Sequence, residues 1–244
     1  GTAVNSDGRT NGFTAPSSIA QTAVIRKALR QAAVHPRDIS YVEAHGTGTR
    51  LGDPIEVTAL TRAFEDAPTD GSCFLGSVKS NLGHCESAAG MAGVAKVLLQ
   101  LKHKQLVPSI HCERLSPEID FTDSPFTVSR RLRDWTPRNG RRLAGVSAFG
   151  AGGTNAHVVI AEAPGLPEVQ RIDDGEVLIV LSAMTTEALE RQLGQLAEWI
   201  RRETPDAAVL ADVAYTLQIG RRAHEERFAA VAKDAADLLR RLEN

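Results

Sequence analysis

The sequence has few cysteines, no excess of either charge and no long apolar run. It holds three cysteines among 244 residues and a formal net charge of −2, which favours reduced thiols in a cytoplasmic protein. This near balance of charge gives no sign of a nucleic-acid partner. No apolar stretch approaches the roughly 20 residues that cross a membrane, so we expect no membrane association. The cysteine spacing matches no zinc motif, and we therefore expect no metal.

The cysteines also lack the local context of a catalytic nucleophile. Cys85 directly follows a histidine and Cys112 lies in a proline-rich segment, and neither pattern predicts a turn from a strand into a helix. The composition, 42% hydrophobic and 24% charged, is typical of a globular protein with a substantial core.

Apolar patterns predict alternating strands and helices over residues 1–164, which indicates a layered α/β fold. We predict strands at 39–44, 73–78, 143–149 and 156–161, and helices at 16–34, 53–64 and 85–102, with 105–142 irregular. Residues 164–175 are predicted to form a linker. Beyond it, residues 165–244 predict a small α+β unit with strands at 177–182 and 227–231 and helices at 186–203, 208–217 and 234–242.

Two histidines each follow a predicted strand and lie in a glycine-containing loop. His45 opens the segment HGTGT at 45–49, and His84 closes the segment KSNLGH at 79–84. Histidines at the ends of strands can meet above a sheet. Two imidazoles placed together suit acyl chemistry, in which an enolate oxygen is stabilised and protons move near neutral pH.

Four segments in order resemble the C-terminal half of a ketosynthase from a modular type I polyketide synthase. They are VEAHGTGT at 42–49, GDPIE at 52–56, KSNLGH at 79–84 and GVSAFGAGGTNAH at 145–157. The resemblance covers residues 1–164, and residues 165–244 resemble part of the flanking or linker subdomain that follows such domains. Residues 100–108 and 215–221 are most similar to assembly lines of the trans-acyltransferase type.

The resemblance implies a thiolase-like fold and chain elongation by decarboxylative Claisen condensation of an acyl thioester with a malonyl carrier protein. Its nucleophilic cysteine lies in an N-terminal half, in a Thr-Ala-Cys-Ser-Ser turn that this sequence does not contain. We therefore expect this chain to be inactive alone and to need that half as a partner. The complete domain is expected to be a homodimer that works with an acyl carrier protein and its phosphopantetheine arm, without a tightly bound cofactor.

The resemblance also assigns roles to single residues. It implies that His45 and His84 are catalytic and that Lys79 is a buried ammonium that organises the site. Contact with the phosphopantetheine arm is implied for the residues of two loops: Thr47, Thr49, Gly150, Ala151 and Gly152. The backbone N–H of Ala151 is expected to contribute to the oxyanion hole for the thioester.

A cluster of six arginines precedes the last strands of the first domain: Arg130, Arg131, Arg133, Arg138, Arg141 and Arg142. A solvated surface and a docking site for an acidic carrier protein both fit this pattern, and we assign docking to Arg141 and Arg142. His157 is expected to be structural.

Two other kinds of protein share features of this family and are alternative interpretations of the sequence. A non-elongating domain or scaffold fragment would only transfer or hold acyl chains, but such relatives usually lose a catalytic histidine. A thiolase that cleaves ketoacyl-CoA has the same fold, but the HGTGT segment and the trailing subdomain argue against it.

Overall fold

The computed structural model describes residues 1–10, 12, 15–165 and 175–243. They fall into two compact units, Gly1–Pro164 and Gly165–Asn244. Most of the predicted linker, residues 166–174, lies outside the described residues.

The first unit is built around a six-stranded mixed sheet. Its helices and strands are, in chain order, β1 (Thr2–Ser6), α1 (Ser18–Ala32), β2 (Tyr41–Glu43), α2 (Gly52–Ala63), β3 (Cys73–Gly76), α3 (Lys79–Leu82), α4 (Ala89–His103), β4 (Gln105–Leu106), β5 (Phe126–Val128), β6 (Arg133–Asp134), β7 (Leu143–Phe149) and β8 (Thr154–Ala161). The order in the sheet is β1-β8-β7-β2-β3-β5. Strands β7, β2, β3 and β5 are parallel, whereas β8 is antiparallel to both of its neighbours.

Alternation along the strands places one apolar cluster on each face of the sheet. Val42 and Leu143 belong to the cluster that includes α1 and α2, whereas Tyr41 and Ala144 belong to the cluster that includes α4. Successive side chains of a strand point to opposite faces, so the unit has three layers, with helices on both sides of the sheet.

The glycine-rich start of α4 allows a close approach to the sheet. A Cβ on Gly90 would lie 3.1 Å from Cβ of Ala148, and a Cβ on Gly93 would lie 3.1 Å from Cγ of Glu43. The helix begins at Ala89 rather than at Cys85, because Glu86 has a positive φ of 47° and starts a 3₁₀ turn.

The segment predicted as irregular, 105–142, contains three short strands. The two-residue strands β4 and β6 pair with each other, and β5 adds a parallel strand to the edge of the main sheet. Strands of two or three residues are too short to show the alternation from which the longer strands are predicted. That prediction was therefore wrong for these residues.

The second unit is a two-stranded antiparallel sheet with three helices. Its elements are β9 (Val177–Ala183), α5 (Thr186–Glu203), α6 (Ala207–Ile219), β10 (Glu226–Ala232) and α7 (Ala235–Leu242). Side chains of Thr185, Asp206 and Asp234 accept backbone N–H bonds at the three helix starts, which is the usual way to satisfy free donors there. These helices and strands agree with the predicted ones to within two residues.

His157, which is predicted to be structural, is fully buried on β8 opposite Ser147 of β7. Its Nδ1 is 3.0 Å from Oγ of Ser147, and burial lowers the pKa of its imidazole to about 3. Unfolding exposes this ring to water, where a histidine binds a proton below about pH 6.5. Between about pH 6.5 and 3 the unfolded state therefore binds one more proton, and stability falls as the pH falls.

We predict that His157→Gln weakens this pH dependence. From pH 6.5 to 5, the free energy of unfolding of the unmodified domain should fall by up to about 1.4 kcal/mol per pH unit more than that of the variant. Thermal unfolding of the complete domain at several pH values measures the difference. His103→Gln, on an exposed histidine, is the control and should leave the slope unchanged. Equal slopes for the unmodified domain and His157→Gln would contradict the prediction.

Candidate active site

Three neighbouring parallel strands deliver the site residues to one edge of the sheet. His45 follows β2, His84 follows β3 and α3, and Phe149 ends β7. The carboxyl ends of parallel strands meet at one edge, where α/β sheets commonly bind ligands. The rings of His45 and His84 lie edge to face with centroids 5.6 Å apart, and the ring of Phe149 lies 5.7 Å from that of His45.

Backbone hydrogen bonds orient both imidazoles. The N–H of Phe149 donates to Nδ1 of His45 at 3.3 Å, and the N–H of Glu86 donates to Nδ1 of His84 at 2.9 Å. A ring nitrogen that accepts a hydrogen bond carries no proton, so the proton of each neutral ring is on Nε2. Each histidine can therefore donate a hydrogen bond from Nε2. His84 is exposed and His45 is half-buried.

The surroundings of His45 keep its ring neutral. Burial, followed by the nearby charges of Lys79 and His84, lowers the pKa of His45 to about 4. Lys79 is half-buried, and burial lowers the pKa of its ammonium while the carboxylates of Glu56 and Glu43 oppose that shift. Lys79 therefore lies within the electrostatic reach of the site.

Two acidic residues of α2 hold the loop that follows β2. The buried carboxylate of Glu56 accepts hydrogen bonds from the backbone N–H groups of His45 at 2.7 Å and Gly46 at 2.8 Å. Burial raises the pKa of Glu56 to about 7, against the lowering effect of these two bonds. Asp53 accepts a bond from the N–H of Gly48 at 3.0 Å, and burial raises its pKa.

Sequence reasoning assigned no role to these two carboxylates, although GDPIE was among the matched segments. Their spacing of three residues places them on one face of a helix, and this was the signal in the sequence.

Thr47 and Thr49 lie in the same exposed loop. Oγ1 of Thr49 accepts a hydrogen bond from the N–H of Gly52 at 2.9 Å and lies 3.4 Å from Oγ1 of Thr47. Thr49 thus stabilises the turn into α2, while both hydroxyl groups are open to solvent.

The glycine loop after β7 is a tight turn. The N–H of Gly150 donates to the carbonyl of Thr154 at 2.7 Å, and the N–H of Gly153 donates to the carbonyl of Gly150 at 2.9 Å. Ala151 and Gly152 form the exposed tip. The loop begins one residue after Phe149, which contacts His45, so its start adjoins the histidine pair.

Arg141 and Arg142, the two arginines assigned to docking, lie at the other end of β7. Arg142 precedes that strand and its guanidinium binds both carboxylate oxygens of Glu162 at 2.8 and 2.9 Å. Arg141 is exposed. At about 3.3 Å per residue, the seven residues of β7 separate the two arginines from the histidines by roughly 20 Å.

None of the three cysteines lies in a turn from a strand into a helix. Cys73 is buried within β3, and burial raises the pKa of its thiol to about 12. Cys85 lies in the turn between α3 and α4. Burial raises the pKa of the Cys112 thiol. Within the described ranges there is no group of three or more histidine, cysteine or acidic side chains placed to bind a metal. No helix in those ranges is long and apolar enough to span a membrane.

Comparison with known proteins identifies the protein families that both units of the chain resemble. Residues 1–113 match the family of the beta-ketoacyl synthase C-terminal domain, and residues 180–244 match the RhiE-like linker domain found between ketosynthase and acyltransferase domains. The chain contains a beta-ketoacyl synthase C-terminal domain, and the proteins that it resembles are ketosynthases of polyketide synthases. It contains the C-terminal half of such a ketosynthase followed by its linker, and the predicted thiolase-like fold is confirmed.

Curated relatives are much longer than this ketosynthase segment. It is 49% identical over 99% of its length to polyketide synthase PksL of Bacillus subtilis, of which it covers 6%. It is 48% identical over 99% of its length to polyketide synthase ThaG of Burkholderia thailandensis, of which it covers 4%.

Solved ketosynthase structures match the whole chain. One is the oxazolomycin ketosynthase domain from Streptomyces albus, with 44% identity and a TM-score of 0.76 over 99% of this chain. Another is the module 6 ketosynthase of the bacillaene synthase from Bacillus subtilis, with 41% identity and a TM-score of 0.73 over the full chain. The segment spans 42% of each of these structures.

Proposed function

We propose that this chain supplies both histidines for polyketide chain elongation by decarboxylative Claisen condensation. The observation that carries the proposal is the histidine pair, with both Nδ1 atoms occupied by backbone donors. Two Nε2–H groups are then free to converge on one oxygen. The nucleophilic cysteine would come from the N-terminal half of the ketosynthase, because no cysteine of this chain lies in a turn from a strand into a helix.

In the proposed reaction the bond between the malonyl carboxylate and C2 breaks, and CO₂ leaves. The electron pair passes into the thioester as an enolate, whose oxygen receives hydrogen bonds from His45 and His84. Carbon C2 then attacks the acyl thioester on the cysteine, and the thiolate departs. Donors arranged in advance around such an oxygen commonly lower a barrier by several kcal/mol.

The remaining assigned residues surround this centre. We assign Lys79 an electrostatic role, supported by its half-buried ammonium near His45 and Glu56. Thr47 and Thr49, with hydroxyl groups open to solvent, are proposed to contact the phosphopantetheine arm. The glycine loop is assigned to the same arm through Gly150, Ala151 and Gly152, with the N–H of Ala151 as an oxyanion donor.

A partner half is supported by the exposed face of α4. Met91, Leu98 and Leu99 on this helix are 69%, 52% and 56% exposed. Apolar surface of this kind marks an interaction site. We propose that the N-terminal half covers it in the complete domain, which would form a homodimer.

One experiment separates elongation from the non-elongating alternative. The complete ketosynthase domain is loaded with an acyl group and given a malonyl carrier protein, and the products on the carrier are weighed by mass spectrometry. Elongation releases CO₂ and adds two carbons and one oxygen to the acyl chain. A domain that is loaded but gives no such product would be a transferring or holding domain.

The trans-acyltransferase type is proposed on similarity alone. Identity is 45–49% to PksL, PksM, ThaG and PksN and 43–45% to two erythronolide synthases.

Carrier docking is the proposed role of Arg141 and Arg142 in the arginine cluster, and these two residues differ in their surroundings. Arg141 is exposed, whereas Arg142 is held by Glu162. We predict that Arg141→Glu raises the KM for the carrier-bound malonyl substrate several-fold and leaves kcat with a free pantetheine thioester unchanged. The effect should fade as salt rises, because the screening length is about 10 Å at 0.1 M.

Glu162→Gln provides the control. It weakens the ion pair of Arg142 without changing the exposed charge of Arg141, so it should alter thermal stability more than carrier selectivity. Kinetics with both substrates at low and moderate salt measure the outcome. Equal rates for Arg141→Glu and the unmodified domain would make the cluster a solvated surface.

A further inference from the structure

A buried carboxylate lies between the two histidine segments and is not used by the proposed chemistry. Glu43 is 2% exposed. It ends β2, two residues before His45. One of its oxygens, Oε1, accepts a hydrogen bond from the backbone N–H of Val78. Val78 is the residue from which α3 starts, and α3 leads directly to His84.

The other oxygen of Glu43 is held by two partners. The hydroxyl of Tyr41 donates to Oε2 at 2.6 Å, and Nζ of Lys96 on α4 lies 2.9 Å from it. Nζ of Lys96 also lies 5.5 Å from the centre of the Tyr41 ring. Burial, followed by the charge of Glu43, raises the pKa of Tyr41 well above its usual value, so its phenol stays a donor.

Two glycines leave the room that this cluster occupies. A Cβ on Gly93 would lie 3.1 Å from Cγ of Glu43. A Cβ on Gly76, the last residue of β3, would lie 2.6 Å from the hydroxyl of Tyr41 and 3.3 Å from Nζ of Lys96. The sheet and α4 are therefore shaped around a polar group in the interior.

The stability of the fold is a weak explanation for the burial of Glu43 and Lys96 together. A buried ion pair often contributes little net stability, because removing two charges from water offsets their attraction. Its geometry supplies a stronger reason. A single rigid carboxylate joins the end of β2, two residues before His45, to the start of the segment that carries Lys79 and His84.

We propose that Glu43 is a positioning residue that sets the separation of the two catalytic histidines through its hydrogen bond to the N–H of Val78. Tyr41 and Lys96 fix the carboxylate so that Oε1 points at that donor. The inference rests on the proposed function, since it assumes that both histidines stabilise the same enolate.

The test compares two variants that lack the ion pair and differ in one acceptor. Both carry Lys96→Met. One adds Glu43→Gln, whose amide oxygen can still accept from Val78, and the other adds Glu43→Leu, which has no acceptor. Both are measured in the complete ketosynthase domain, as kcat and KM for decarboxylation of a malonyl carrier protein, with thermal midpoints recorded in parallel.

We expect the glutamine variant to keep most of the kcat and the leucine variant to lose at least about tenfold, because misplacement by about 1 Å can cost about 10²-fold. The KM should change less than kcat, since the carrier contacts are elsewhere. Equal kcat values in two folded variants would overturn the proposal.

If the leucine variant does not fold, Glu43→Asp in the otherwise unmodified domain replaces it. Aspartate keeps the charge opposite Lys96 but is one methylene too short to reach Val78, so kcat should again fall at least about tenfold. A full kcat in Glu43→Asp would overturn the proposal.

Different results would contradict the proposed function and the proposed role of Glu43. If the unmodified domain does not decarboxylate malonyl carrier protein, or if His84→Ala does so at full rate, the function is wrong. If the unmodified domain is active and His84→Ala is not, while the leucine or aspartate variant is fully active, only the role of Glu43 is wrong.

Discussion

Replacing His84 with alanine in the complete ketosynthase domain should reduce malonyl decarboxylation by at least about 10²-fold, the usual cost of removing one oxyanion-hole donor. The fold should be retained, because His84 is exposed and lies in a turn between helices. What is lost is the Nε2–H donor, since Nδ1 is already engaged by the N–H of Glu86. Release of CO₂ from malonyl carrier protein measures the effect.

The variant His84→Gln tests whether Nε2 is the ring nitrogen of His84 that decarboxylation requires. Its amide N–H₂ lies at about the distance of Nε2 from the backbone, so His84→Gln should retain more activity than His84→Ala. His103→Ala, on an exposed histidine of α4, should behave as the unmodified domain. Decarboxylation by His84→Ala within about tenfold of the unmodified rate, a change of roughly 1.4 kcal/mol, would make the assignment wrong.

The histidine loops were predictable because strand ends are readable in the sequence. Short apolar runs placed β2 and β3, and the loops that follow them carry His45 and His84. The parallel pairing of β3, β2 and β7 then brings those ends together. The full length of β7 and the position of α5 were also predicted to the residue, because each has a long and regular apolar pattern.

The support beneath the histidines was not predictable in the same way. Glu43 and Glu56 act through bonds to backbone N–H groups of other segments, and a sequence does not show which backbone donors a buried carboxylate will meet. The burial of Arg142 against Glu162 depends on the register of β7 and β8, which pairs Leu143 with Ala161. Periodicity predicts strands but leaves such register to tertiary packing.

A second large effect on decarboxylation is expected from a substitution of Gly46, in the loop after β2. Gly46 has a φ of +50°, and a Cβ built on it would lie 2.9 Å from Cβ of Ser77 and 3.0 Å from its Oγ. Ser77 belongs to the segment leading to His84, and its Oγ lies 3.4 Å from the carbonyl of Gly46. A methyl group here would push apart the two chains that carry the histidines. We predict that Gly46→Ala lowers decarboxylation by about 10- to 100-fold.

Gly48→Ala separates this contact from backbone strain. Gly48 also has a positive φ, +74°, but a Cβ there would have no neighbour within 4 Å. Both variants bear the cost of a side chain at positive φ, which is of order 1 kcal/mol, while only Gly46→Ala presses on Ser77. We therefore expect Gly48→Ala to retain most of the activity.

In the double variant Gly46→Ala with Ser77→Gly, the activity should return, because the opposing atoms are removed. Equal losses in Gly46→Ala and Gly48→Ala, with no recovery in the double variant, would mean that strain in the loop, rather than the spacing of the two segments, limits the reaction.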